Sequence, residues 1–203
     1  MSTTSRDFFE VMYRVDADPW SFATSRYEQG RYRTLLGHIP PGRFARVFEA
    51  GCSIGELTAG LASRCGEVFA IDIAQPAVKR ARLRCQPFPN VTIERATLPA
   101  ELPEGPFDLV VFSEIGYYFT AVALAELAAG LAQRLAPRGL LLAGHWTGHS
   151  NDHVLGGTQV HTIISAELIG SQSMSLAVHE HHGGRPGGDR PDQGFVVDGW
   201  VKP

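Results

Sequence analysis

The sequence predicts an α/β domain built on a mostly parallel sheet, with helices on both faces and an antiparallel hairpin at the carboxyl end. Two observations predict it. From about residue 39, apolar strand-type runs alternate with helix-type segments, and alternation of this kind builds a parallel sheet. The first strand-type run also leads at once into a small-residue turn, Gly51-Cys52-Ser53-Ile54-Gly55, and then a helix. With 203 residues the chain is long enough for one substantial core, so it reads as a single domain.

Residues 1–38 precede the alternation and are rich in aromatics: Phe8, Phe9, Tyr13, Trp20, Phe22, Tyr27 and Tyr32. Asp18-Pro19 divides them, because the residue before proline is pushed away from helix. A short helix is expected before that break and a longer one from about Phe22 to Leu36. The core spans 39–170. There "RVFEAG" reads as a strand and "GELTAGLASRC" as a helix. "EVFAIDI" is a strand ending near Asp72, and "QPAVKRARLRC" is a helix with proline in its first turn. "VTIER" and the apolar "FDLVVFSE" are strands, the second of buried type. "TAVALAELAAGLAQRLA" is an Ala/Leu-rich helix closed by Pro137 and Gly139, and "RGLLLAGHW" is the next strand. "GTQVHTIISAEL" suits a helix. In residues 171–203, "SMSLAVHEHH" and "GFVVDGWVKP" read as a hairpin around a mobile Gly/Pro loop, "GGRPGGDRPDQ".

Composition narrows the function. The net charge is -3 and no basic block occurs, which disfavours a nucleic-acid or membrane partner. No apolar run is long enough for a bilayer, and "MSTTSRDFFEVMYRVDADPW" lacks a signal core, so a cytoplasmic protein is expected. Cys52, Cys65 and Cys85 form no CxxC pair and read as reduced packing thiols. No metal is expected. His179 and His181 share a strand face without a completing ligand set, and Gly144 and Gly148 argue against a helix that would align His145, His149 and His153.

A glycine turn after the first strand of such a sheet is where nucleotide-like ligands sit, with an acid at the end of the next strand on the ribose hydroxyls. Asp72 is that acid by position. A dinucleotide needs G-x-G-x-x-G, but with Gly55 as the last glycine the earlier positions are Ala50 and Cys52, and no P-loop lysine is present. A ligand with adenosine and ribose but no phosphate fits better. Glu49 before the turn favours one that carries positive charge.

The ordered motifs resemble the class I S-adenosylmethionine (SAM) methyltransferases. Glu49-x-Gly51-x-x-x-Gly55 looks like their first motif and "AIDI" like their second. "FDLVVFSEIGYYF" is similar to their fourth-strand motif and "LAPRGLLLAGH" to their turn into the fifth strand. More narrowly, "DADPWSFATSRYEQGRY", "SEIGYYF" and "HVLGGTQVHTI" resemble the nodulation protein S-like methyltransferases, over about Tyr13 to Leu168. The resemblance implies a Rossmann-like fold with a seven-stranded sheet. It also implies SAM as cofactor with S-adenosylhomocysteine (SAH) as product, and methylation of an amine such as an aminosugar, that is, a small-molecule acceptor. An O-methyltransferase, and a binding module without turnover, stay open as alternatives; the oligomeric state is unknown.

The residues follow from the matched motifs, each beside a plainer role. Gly51 and Gly55 are cofactor contacts or simple turn glycines, with Cys52 between them. Asp72, followed by Ile73, is the ribose acid or a helix cap. Glu49 sits near the amino group of SAM or holds the loop. Many class I enzymes carry an acid after the third strand near the adenine. Here Ala96, Thr97 and Leu98 stand there, so a hydroxyl or backbone amide replaces it. Ser113 and Glu114 end the fourth strand at the cleft. Tyr117 and Tyr118 pack, or orient an amine and face the methyl-sulfonium. Trp20, Arg26, Tyr27, Arg31 and Tyr32 form an amphipathic helix, or a lid in which Arg31 or Tyr27 reaches SAM and Trp20 reaches the acceptor. His145 is placed with the substrate. His153 and His161 match the family segment, and His153 is either the base that takes the acceptor's proton or a residue that shapes the loop.

Overall fold

The structure, a computed structural model, describes residues 4–183 and 194–203. All but the first glycine of the expected Gly/Pro loop, 183–193, lies outside the described residues. One sheet with strand order β3-β2-β1-β4-β5-β7-β6 organises them. Strands β1 (Arg46–Ala50), β2 (Glu67–Asp72), β3 (Val91–Arg95), β4 (Phe107–Ser113) and β5 (Leu135–Trp146) run parallel. Strands β6 (Ser175–His182) and β7 (Phe195–Val201) form the expected antiparallel hairpin, and β7 inserts beside β5. The order reverses between β1 and β4. A crevice opens there at the carboxyl ends of the strands, the place where open α/β sheets take ligands.

Alternation along the central strands feeds two cores. Phe48, Val110 and Phe112 pack with Leu124, Leu127 and Leu131 of α5 (Ala121–Gln133) and with Ile164 of α6 (Gly157–Ser165). Val47, Leu109, Val111 and Leu142 face the other way, onto Leu35 of α2 (Arg26–Gly37) and Leu57 and Leu61 of α3 (Glu56–Ala62). Val78, Ala81 and Cys85 of α4 (Gln75–Cys85) cover Ala70 and Ile93 on the outer strands.

Two boundaries differ from expectation. Helix α2 begins at Arg26, not Phe22. The Asp18 carboxylate accepts from the amides of Phe22 and Ala23, holding them in a turn, and Ser25 then caps the helix by accepting from Glu28 N. Strand β5 begins at Leu135, before the Pro137 and Gly139 expected to close α5. Leu135 pairs with Phe107, and the register shifts before Leu140 pairs with Leu109, so the proline sits in an irregularity where no ladder donor is required. Helix α6 is extended by a π-helical turn, Ala166–Ser171.

The N-terminal segment lies over the crevice. Helix α1 (Arg6–Val15) starts at Ser5, whose side chain accepts from Phe8 N. Thr4 N donates to Tyr118 O at 2.9 Å, and Arg6 Nη2 donates to Thr97 Oγ1 at 2.7 Å. At the far end of α1, Arg80 Nη1 donates to Tyr13 O at 2.9 Å. Tyr13 and Phe22 also pack with Ile54, Ala74 and Ala77, so the segment shares a small core with the glycine turn.

Gly55 is a packing glycine. Its φ is +84°, and a Cβ there would lie 3.0 Å from Ala81 Cα in α4. Gly55→Ala should therefore lower unfolding stability by about 1–3 kcal/mol, the cost of a strained backbone or an overpacked contact. Urea denaturation of both proteins measures it, and an unchanged midpoint would refute the close α3–α4 packing.

Candidate functional site

A cavity of about 730 Å³ lies between the crevice and the N-terminal segment. Its size sits within the roughly 300–1,000 Å³ usual for small-molecule sites. The floor comes from strand ends and the turns that follow them: Gly51 and Ser53, Asp72 and Ile73, Ala96 to Leu98, and Ser113 to Ile115. Phe9, Tyr13, Trp20 and Phe22 roof it. At the β4–β5 end the walls are Tyr117, Tyr118, Trp146 and His153.

The turn at one end is held from below. Gly51 N and Cys52 N both donate to Ile71 O, at 2.9 and 2.8 Å. Ser53 N donates to Asp72 Oδ2 at 2.8 Å, and Ala74 N donates to Asp72 Oδ1 at 2.9 Å. These amides are spent inside the protein, so the turn does not present them as a phosphate cradle. Asp72 accepts both bonds and still lines the cavity with lone pairs to spare. Burial pushes its carboxyl up to about 6, against the opposing pull of the amides. Gly51 takes φ +79°, and a Cβ on it would meet Ile115 Cγ2 at 2.5 Å. Only glycine fits beside Ile115 at this point of the cavity wall.

Beneath the middle of the floor lies Arg31, fully buried. Its Nε and Nη2 donate to Glu28 Oε2, its Nη1 donates to Ser113 Oγ at 2.7 Å, and Glu114 Oε1 lies 3.7 Å from Nη1. Burial opposes the charge, but the Glu114 and Glu28 carboxylates outweigh it and keep the guanidinium protonated. Glu114 has φ +60°, a costly backbone for a residue with a Cβ, and its Oε1 accepts from Trp146 N at 2.7 Å. The opposite end is aromatic and acidic. His153 stacks on Tyr117, centroids 3.9 Å apart and planes within 8°, and meets Tyr118 edge-on. Burial lowers the His153 pKa, which keeps the ring neutral near pH 7, and its Nδ1 is buried without a hydrogen-bond partner among the described residues. Burial, with the Glu114 carboxylate near Tyr117 and the Asp152 carboxylate near Tyr118, raises both phenol pKa values and keeps them protonated.

Of the residues expected from the sequence, Trp20, Tyr27, Gly51, Asp72, Ile73, Thr97, Leu98, Ser113, Glu114, Tyr117, Tyr118 and His153 line this cavity together. Five others do not. His145, expected at the substrate, is completely buried behind the wall and bonds Gly116 N and His161. Arg31 lies under the floor, held by carboxylates. Cys52 points into the α4 core with Cys85, and Gly55 packs against α4. Glu49 is buried beside Thr58, away from the cavity. Thr97 arrives as expected, but Arg6 bonds its hydroxyl and Glu101 Oε2 accepts from its amide. Thr4, Ser5, Arg6, Ser53, Trp146 and Ser150 also line the cavity and were not expected. The capping serine of α1 was the one local sign of the first three. Among the described residues, no group of three or more His, Cys, Asp or Glu is placed to hold a metal, and no helix is long and apolar enough to cross a membrane.

A family model described as Nodulation protein S (NodS) matches residues 4–177. Nodulation protein S of Rhizobium tropici is 29% identical over 179 residues, covering 85% of this chain and 75% of that protein. Nodulation protein S of Bradyrhizobium diazoefficiens is 32% identical over 129 residues, 63% of this chain and 62% of that protein. The solved N-methyltransferase NodS from Bradyrhizobium japonicum WM9, in complex with S-adenosyl-L-homocysteine, superposes with a TM-score of 0.81 at 22% identity, covering 98% of each chain.

Glu49 gives the free protein a distinctive pH dependence. Burial pushes its carboxyl from 4.5 up to about 7, with the nearby Thr58 side chain opposing the rise and Asp72 adding to it. A folded-state pKa above the unfolded one means the folded protein binds the extra proton. This contribution is full below about pH 4.5 and disappears as pH rises through about 7. Asp72, raised from 3.8 to about 6, acts in the same direction. Unfolding free energy, measured by urea at several pH values, should fall between pH 5 and 7.5 by less in Glu49→Gln than in the parent. An equal slope in both would refute a protonated Glu49.

Proposed function

The chain belongs to the nodulation protein S (NodS) family, and on that premise we propose that it transfers a methyl group from SAM to the nitrogen of a small-molecule amine, releasing SAH. One observation carries the reading. The cavity joins a glycine-and-carboxylate end, suited to a ribose, to an end walled by Tyr117, Tyr118, Trp146 and His153 with Glu114 beside them. The solved relative with SAH supports the cofactor, and its N-methyltransferase description supports nitrogen as the acceptor atom. The acceptor class in view is an amine such as an aminosugar, whose ring suits aromatic walls. Three free thiols suit a reducing, cytoplasmic setting.

The described residues fit SAM. Asp72 has lone pairs for both ribose hydroxyls, and Gly51 leaves room for close approach. Ala96, Thr97 and Leu98 would border the adenine, and Ser113 with the Arg31–Glu28 pair would neighbour the amino-acid part. SAM supplies a methyl carbon on a positively charged sulfur, ready for in-line displacement. The protein's share is alignment and proton handling. Orientation of two reactants is worth up to roughly 7–11 kcal/mol. Glu114 and Tyr117 orient the amine, and the aromatic faces suit the positive charge that moves to nitrogen. An ammonium has no lone pair, so the acceptor must lose a proton before it attacks. Neutral His153, which lines the acceptor end, takes that proton. Helix α1 and the turn carrying Trp20 act as a lid that keeps water out.

Calorimetry with SAH should show Asp72→Ala weaker by about 1.5–3 kcal/mol, the range for hydrogen bonds to a charged acceptor. Unchanged affinity in the folded variant removes Asp72 from the cofactor. Transfer from methyl-labelled SAM should be assayed over glucosamine, simple primary amines and their hydroxyl counterparts. Label on nitrogen is expected. Label only on oxygen makes the chain an O-methyltransferase, and SAH binding with no transfer makes it a binding module. His153→Phe keeps the stack on Tyr117 and removes the base. It should cut kcat near pH 7 by about 10²-fold or more, the range for a general base, without changing SAH affinity. An unaltered kcat would assign His153 to shaping the loop instead.

A further inference from the structure

Behind the acceptor end of the cavity, four polar side chains from four elements form one hydrogen-bonded line. Gly116 N donates to His145 Nε2 at 3.0 Å. His145 Nδ1 lies 3.0 Å from His161 Nε2, His161 Nδ1 lies 2.7 Å from Asp198 Oδ2, and Asp198 Oδ1 lies 2.7 Å from His179 Nδ1. The line begins at the turn after β4 and passes through β5, α6, β7 and β6. His145, His161 and Asp198 are 0%, 4% and 3% exposed, while the His179 side chain reaches solvent.

The order of donors along the line has one solution. A backbone N–H can only donate, so His145 Nε2 carries no proton. The ring's remaining proton is then on Nδ1 and is donated to His161 Nε2. His161 in turn carries its proton on Nδ1, facing a carboxylate that can only accept. Each contact pairs one donor with one acceptor. Burial holds the His145 imidazole neutral, which agrees. A line that ends on a backbone amide cannot pass a proton into the cavity, so it is no relay for the acceptor's proton.

What it reaches is the turn that carries Tyr117. Gly116 opens the 3-10 turn Gly116–Tyr118, and a Cβ on Gly116 would lie 2.4 Å from Val160 Cγ1 and 2.8 Å from His145 Nε2, so the turn is pressed against this wall. On its other side, Tyr117 O accepts from Val154 N and Leu155 N at 2.8 and 3.1 Å. Those residues follow His153, whose ring stacks on Tyr117. We propose that His145 is a positioning residue for the acceptor end: held in its Nδ1–H tautomer by His161 and Asp198, it fixes the Gly116–Tyr118 turn and with it the Tyr117–His153 stack. The assignment rests on the reading of that end as the acceptor compartment. It gives the C-terminal hairpin, whose described residues do not line the cavity, a part in shaping it.

The test uses the full chain with ¹⁵N-labelled histidine. Two-bond nitrogen–proton correlations in the unmodified protein should show His145 and His161 as Nδ1–H tautomers, the reverse of the form that free imidazole side chains prefer in water. A His145 Nε2–H tautomer would overturn the proposal. In His145→Phe, which keeps a ring but no acceptor, the upfield ring-current shift of the His153 ring protons should be lost while SAH affinity is retained. His145→Gln, whose Oε1 can accept from Gly116 N, should restore that shift. An unchanged His153 shift in His145→Phe, or loss of SAH binding in both variants, would also overturn it. Should His145→Phe not fold, the tautomers of the parent and the His153 shift in His145→Gln still decide. None of these readouts needs an acceptor, so failure of methyl transfer to a tested amine would bear on the proposed reaction and leave the positioning role standing.

Discussion

A guanidinium with no exposure to water sets the terms for this site. Arg31 enters from α2, and a buried charge that loses its partner costs roughly 3–5 kcal/mol, so its partners must be in place in the folded protein. They are Glu28 on its own helix, Ser113 at the end of β4, and Glu114 just beyond. Glu114 reaches its place only through a left-handed backbone, and it then takes the amide of Trp146 at the end of β5. One cation thus joins the N-terminal segment to the two strand ends that border the aromatic half of the cavity. The strain at Glu114 is sustained because these partners over-determine it.

The other half of the cavity has an equivalent tie of opposite sign. Asp72 accepts from the glycine turn after β1 and from the start of α4, so it clamps two loops before any ligand is considered. Cap and ribose acid were alternative readings of this residue. The geometry makes it a clamp already and leaves lone pairs for hydroxyl donors. The internal bonding of the turn amides also accounts for the missing phosphate fingerprint. A turn whose N–H groups point down to Ile71 and Asp72 has little to offer an anion.

The fold was legible because its signals are local and periodic: strand, glycine turn, helix, and an acid closing the second strand. The position of Gly51, Asp72, Ser113 and Glu114 on the cavity floor was legible for the same reason, since topology alone places these strand ends at the crevice. Sequence position says less about the direction in which a side chain points. His145 and Trp146 are neighbours on β5, yet alternation sends one into the core and the other into the cavity, and the tryptophan was the one overlooked. Glu49, Cys52 and Gly55 belong to the right motif but serve the turn's own packing. Arg31 sits on the expected helix but faces inward, which a pattern of mixed charges and aromatics does not reveal. Thr4 to Arg6 lie at the very start of the first helix, and nothing in their composition ties them to Thr97 or Tyr118, more than ninety positions away.

That last contact has a kinetic meaning. Thr4, just before α1, is bonded to Tyr118 beside the aromatic end, and Arg6, its first residue, to Thr97 beside the opposite end. A helix is stiff, so it cannot swing away from one compartment and stay seated on the other. On the proposed assignment of the two ends, both ligands share a single door. One opening of that door would then serve both exchanges.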